Sequence, residues 1–200
     1  MLSASLLVPK SNYLWAMMEE GRIIMQPERF GLTIERLCHQ LIEAYDDFAD
    51  ACIIGIQPRG SWLMDRLVER LAALGYDKLK HGRLDITFYR DDFRTRNKPL
   101  KASKTELDFL VEDLRVILVD DVLYTGRTVQ AALTALNHYG RPKSVELLVM
   151  VDRRFNRHLP ILADYTGITV DALDEAYVRV EYTEHQGTDQ VLLFPQKPEE

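Results

Sequence analysis

Between Arg115 and Thr128 the chain reads RVILVDDVLYTGRT, and the second half of that run holds its densest chemistry. Asp120 and Asp121 are adjacent carboxylates, and Tyr124, Thr125, Gly126, Arg127 and Thr128 follow at once. A helix that starts after such a turn presents unpaired N–H groups and the positive end of its dipole, which makes the turn an anion site. Thr125 and Thr128 add hydroxyl donors, and Gly126 lets the backbone approach an oxygen that a Cβ would block. Two carboxylates would repel a phosphate. They make sense facing sugar hydroxyls or a developing positive charge. A ribose 5-phosphate carrying a leaving group at C1 fits both demands. A lone Asp-Asp pair would suit a buried strand with an acidic cap and no ligand; the whole block does not.

The elements that position these residues are legible around them. Val116, Ile117, Leu118 and Val119 read as a buried strand, so the acids stand at its carboxyl end, where open α/β sheets bind ligands. A helix follows from Thr128 to Tyr139, with Val129, Ala132, Leu133 and Leu136 inward. An earlier unit has the same plan. The strand Ala51 to Ile56 leads through Gln57-Pro58-Arg59-Gly60 into a helix from Ser61 to Leu74. Its loop carries a cation and a glycine, the chemistry wanted for a diphosphate. Pro27 opens a helix that runs to about Asp46. Alternation makes Arg83 to Arg90 a strand, Val145 to Val151 is another, and Tyr177 to Tyr182 with Gln190 to Phe194 reads as a closing hairpin. The basic stretch from Phe93 to about Glu112 reads as a lid or a solvated loop. Strands alternating with helices predict an α/β fold, a mostly parallel twisted sheet with helices on both faces.

The run VILVDDVLYTGRT resembles the phosphoribosyl-diphosphate (PRPP) motif of type I phosphoribosyltransferases, and GIQPRG resembles the pyrophosphate loop of the same family. LDITFYRDD, VILVDDVLYTGRTVQAAL, LNHYGRPKSVELLVMVDR and LPILADYTG together resemble the PyrR family, whose members attenuate pyrimidine operons and in many cases are also uracil phosphoribosyltransferases. The match runs from about Arg22 to Phe194.

The resemblance implies a type I phosphoribosyltransferase-like fold with a small hood at about 152–175, and the reaction uracil plus PRPP to UMP plus pyrophosphate. It implies Asp120, Asp121 and Arg59 as catalytic residues. PRPP would be held by Pro58, Arg59, Gly60 and Arg90, and by Val119, Asp120, Asp121, Val122, Leu123, Tyr124, Thr125, Gly126, Arg127 and Thr128. Tyr165, Thr166, Gly167, Val170 and Arg141 would meet the base. The cofactor would be Mg2+, bound mainly through PRPP and water with Asp120 or Asp121 as a further contact. A homodimer or higher homo-oligomer is implied as well.

Composition sets the outer bounds. With 200 residues, 46% of them hydrophobic and 28% charged, the chain suits one domain, read as residues 22–200 with an N-terminal appendage at 1–21. A net charge of −6 does not favour general adhesion to nucleic acid or membrane. The two cysteines, Cys38 and Cys52, form no CxxC, and the N-terminus has no basic n-region, so a cytoplasmic protein with free thiols is expected. No apolar stretch reaches membrane-spanning length.

Two other functions fit parts of the sequence. An RNA-binding attenuator of a pyr mRNA leader needs cations and base-reading groups. Arg153, Arg154, Arg157 and His158 form a basic cluster, but the early helix carries Glu35, Glu43, Asp46 and Asp47. Leu162 and Ile168 also stand where the RNA-binding members of the family are expected to be basic. A purine phosphoribosyltransferase would share the PRPP loop and differ in the hood.

Overall fold

The computed structural model describes residues 21–91, 102–172 and 175–197. The appendage read at 1–21 lies outside these residues except for Gly21, as does 93–101 of the basic stretch.

Its centre is a parallel sheet of β2 (Ala51–Ile56), β3 (Lys80–Leu84), β4 (Arg115–Leu123), β5 (Ser144–Arg154) and β6 (Tyr165–Asp171), in the order β3-β2-β4-β5-β6. Strands buried on both faces are apolar runs rather than alternations. Thus Ile117 and Val119 of β4 pack under α1 (Pro27–Tyr45) and α2 (Arg59–Ala73), while Val116 and Leu118 pack under α3 (Arg127–Leu136). Pro27 opens α1 after Gln26, and Phe30, Ile34, Leu37, Leu41 and Tyr45 form its buried stripe. Both thiols, Cys38 and Cys52, are free and buried, and burial pushes each up to about 12.

A second, three-stranded antiparallel sheet joins the two ends of the described chain. It has the order β1 (Arg22–Met25), β8 (Gln190–Phe194), β7 (Tyr177–Glu181), with the short helix α4 (Thr183–Gln186) between β7 and β8. Arg66 of α2 ties this unit down through Glu184 and Asp189, each at 2.9 Å. Trp62 stacks on His185 with ring centroids 3.7 Å apart.

Three sequence expectations change. The strand expected over Arg83 to Arg90 is Lys80–Leu84 instead. Its partner β2 ends at Ile56, opposite Leu84, and the Asp85 carboxylate then accepts the Thr87 hydroxyl at 2.7 Å, turning the chain into a 3-10 turn at Thr87–Tyr89. The described part of the basic stretch is edge cover rather than lid. Glu106 bridges to Arg83, Leu107 and Phe109 pack on the core, and Val111 is buried. The range read as hood, about 152–175, contains β6 of the main sheet, and the separate small sheet is built from β1, β7 and β8.

Candidate active site

The two glycine-bearing turns meet at one end of the sheet. A Cβ on Gly60 would lie 2.3 Å from the Val119 carbonyl oxygen and 3.0 Å from Asp120 Cα. Only glycine allows that approach, and it seats the first turn of α2 against the strand that carries the acids. Opposite Gly55 of β2 stands Val119, so β4 runs on past its neighbour and lifts Asp120 and Asp121 into the open end.

The larger cavity, about 570 Å3, lies beyond Asp120. Leu123 to Thr128 form one wall, and Arg90 with Asp91 forms another. Gly126, with φ +89°, is the residue before α3, whose free N–H groups open on this space. Arg127 pairs with Asp91 across the mouth.

The smaller cavity, about 190 Å3, lies on the side of the small sheet. Arg59, Asp121, Tyr124 and Arg153 line it, together with Tyr177 and Val178 of β7. Arg59 donates to the Val180 carbonyl at 3.0 Å and stands 3.6 Å from the Asp121 carboxylate. Tyr124 belongs to both cavities, and the Arg153 guanidinium sits over its ring at 3.8 Å.

Asp120 and Asp121 are 6% and 8% exposed. Burial pushes the Asp120 carboxyl well above the usual range, and the neighbouring Asp121 charge adds to it. Asp121 is also raised by burial, against which the Arg59 charge pulls down. The Asp121 N–H donates to Asp120 Oδ1 at 2.9 Å. Such a pair holds a proton more readily than free carboxylates do and favours any cation, or cationic transition state, brought between them.

Residues 23–185 match the phosphoribosyl transferase domain family. The chain is 43% identical to "Bifunctional protein PyrR" of Mycobacterium ulcerans over 87% of its own length and 95% of that protein's. It is 42% identical to the protein of the same name from Deinococcus radiodurans, over 86% and 93%. The chain belongs to the PyrR family. In fold it is also similar to a hypoxanthine phosphoribosyltransferase of Staphylococcus aureus, with a TM-score of 0.65 at 20% identity, covering 92% of this chain and 96% of that one.

In this member of the PyrR family, Arg90, Asp120, and Val122 through Thr128 come together around the larger cavity. Asp121 faces the smaller one. Val119 is buried beneath the acids, in contact range of Gly60. Arg59, expected at the diphosphate, lies beside Asp121. Its guanidinium turns to Asp121 and Val180 and lines the smaller cavity, not the larger. Pro58 lines a separate recess with Gln57, Ser61 and Trp62.

The residues assigned to the base do not join the acid pair. Tyr165, Thr166, Gly167 and Val170 lie on β6, separated from β4 by the whole of β5. The Tyr165 hydroxyl bonds Glu146 at 2.7 Å, and Arg36 of α1 takes the Thr166 and Gly167 carbonyls at 3.1 and 2.6 Å. Val170 is buried in the core. Arg141 sits at the amino end of β5, where its carbonyl accepts the Asp113 N–H. Sequence reading assigned no site role to Tyr177, Val178 or Arg153, which line the smaller cavity. Arg153 was visible only as part of a basic cluster, and nothing local marks a β7 side chain as facing β4.

Proposed function

We propose that this chain transfers a phosphoribosyl group from PRPP to uracil, giving UMP and pyrophosphate. The observation that carries the reading is the split of one acid pair between two cavities. Asp120 faces the space with the anion-binding turn, and its neighbour Asp121 faces the small space under β7. A sugar held at the pair would thus carry its 5-phosphate on one side and meet a planar base on the other.

The amides and hydroxyls of Leu123 to Thr128 hold the 5-phosphate. Asp120 accepts from the ribose hydroxyls. The bond from C1 to the diphosphate oxygen breaks as N1 of uracil closes on C1, and both carboxylates stabilise the cationic character that develops there. Asp121 takes the proton from N1, for which its raised affinity suits it. Arg90, with the amides of the Gly60 turn, faces the departing diphosphate. Tyr177 and Tyr124 bound the base, and Arg153, a donor only, matches the carbonyl oxygens of uracil.

Among the described residues no group of three or more His, Cys, Asp or Glu is placed to hold a metal. Two buried carboxylates beside a phosphate cavity still fit magnesium, which keeps waters and binds through substrate oxygens. When bound, magnesium would neutralise the diphosphate, with Asp120 or Asp121 as its protein contact. The geometry of the turn and the acid pair needs positioning and charge stabilisation, not a covalent nucleophile.

RNA attenuation stands second. In its favour is the "bifunctional" name of the relatives. Against it, each side chain of the basic cluster has a partner within the chain. Arg153 lies on Tyr124, Arg154 pairs with Asp171 at 2.6 Å, Arg157 pairs with Asp152, and His158 meets Arg127 at 3.4 Å. Leu162, expected to be basic in an RNA-binding member, is 80% exposed.

Radiolabelled uracil incubated with PRPP and magnesium tests the transferase. UMP should form, and a chelator should abolish it. A UMP-enhanced, salt-dependent gel shift of a pyr-leader hairpin would establish the RNA function; a flat titration at low salt would remove it.

A further inference from the structure

The connection between β5 and β6 straps the anion-binding turn from behind. Two successive residues, Phe155 and Asn156, take left-handed backbone angles, φ 65° and 58°, and fold the chain back sharply at the end of β5. The Arg157 guanidinium then donates to the Tyr124 carbonyl and pairs with the Asp152 carboxylate. The next two backbone amides, of His158 and Leu159, both donate to the Thr125 carbonyl, at 3.0 and 3.2 Å. Leu159 and Ile161 close over Gly126, where a Cβ would meet them at 3.3 and 3.2 Å.

A trans peptide is planar, so the N–H of one residue points opposite the carbonyl of the residue before it. Donors that draw the Tyr124 and Thr125 carbonyls toward the strap therefore turn the Thr125 and Gly126 N–H groups the other way, toward the cavity. We propose that the strap sets the phosphate-binding shape of the turn, and that Arg157 is its positioning residue. Arg157 reaches no substrate. It holds the turn in the anion-ready form before ligand arrives, which spares binding the cost of ordering it. Asp152 in turn fixes the guanidinium on a rigid strand. The proposal deepens the transferase reading, on whose phosphate site it rests.

Calorimetric titration with ribose 5-phosphate, and separately with magnesium pyrophosphate, tests it on wild type, Arg157→Met, Arg157→Lys and Asp152→Asn. A charge-assisted hydrogen bond of this kind is worth roughly tenfold or more in affinity. Arg157→Met should weaken ribose 5-phosphate by about that factor and leave pyrophosphate within about twofold. Arg157→Lys should recover part of the loss, and Asp152→Asn should fall between. In turnover, KM for PRPP should rise more than kcat falls. Equal loss of both ligands, or of neither, would overturn the proposal, since a merely structural arginine would loosen both sites together. Wild-type protein that binds pyrophosphate but not ribose 5-phosphate would instead remove the phosphate-site reading, and the strap's role with it.

Discussion

The Arg59 guanidinium stands 3.6 Å from the Asp121 carboxylate and donates to the Val180 carbonyl, linking the start of α2, the end of β4 and the small sheet. Its charge lowers the Asp121 pKa against the upward push of burial. Arg59→Met removes that pull, so Asp121 should hold its proton to higher pH. If Asp121 must be ionised to take the N1 proton, the acidic limb of the kcat/KM profile moves upward. We expect a loss of about 10- to 100-fold near pH 7, partly recovered at alkaline pH. A uniform loss with an unmoved limb would mean that Arg59 acts through something other than Asp121.

Asp121→Asn should cut turnover by roughly 100-fold or more and leave the fold intact. Asp120→Asn should do both that and one thing more. The folded protein binds the Asp120 proton more tightly than the unfolded chain does. Stability is therefore full below the ordinary carboxylate pKa of about 4 and is lost as pH rises through the raised folded value. An asparagine feels no such loss. Thermal melts should show Asp120→Asn above wild type at pH 8, with the gap closing toward pH 4. A gap that widens on acidification would contradict the electrostatic account of this pair.

Gly60→Ala tests the junction of its turn with β4. The added Cβ would fall 2.3 Å from the Val119 carbonyl oxygen, which is backbone and cannot step aside cheaply. The first turn of α2 must lift away from the acids. Activity should fall at least tenfold and stability by about 1–3 kcal/mol, the usual cost of overpacking. Denaturant melts and uracil turnover measure the two, and a fully active variant would show that the Gly60 turn need not sit against β4.

Tyr177 lines the smaller cavity, and its ring stands 6.2 Å from that of Phe194. If the base lies there, Tyr177→Ala should raise KM for uracil by roughly 10-fold, since a base–aromatic contact is worth about 1–3 kcal/mol. PRPP affinity should stay put. The reverse pattern would place the base elsewhere.

The central strands were legible because burial on both faces writes itself as an apolar run, as in ACIIGI and VILV. The acid pair and the turn after it were legible because one strand–turn–helix unit contains them all. What escaped depends on distant partners. Arg22 pairs with Leu193, and no local periodicity shows that segments so far apart in the chain build one sheet. Tyr165 to Val170 read as hood because the family resemblance implies one there; Gly167 lies among them. In the fold that glycine is where β6 runs close beside Met150 of β5, whose carbonyl oxygen a Cβ would meet at 2.4 Å. Arg59 was placed by its position in a loop, whereas its side chain is long enough to answer to Asp121.

Base choice is the most direct test. Uracil, hypoxanthine and guanine, each at the same concentration with PRPP and magnesium, should be compared by initial rate of nucleotide formation. The account predicts UMP from uracil at least about 100-fold faster than either purine nucleotide, because a cavity with built hydrogen-bond partners rejects bases that leave them unmade. Transfer to a purine at a comparable rate, or to none of the three, would contradict it.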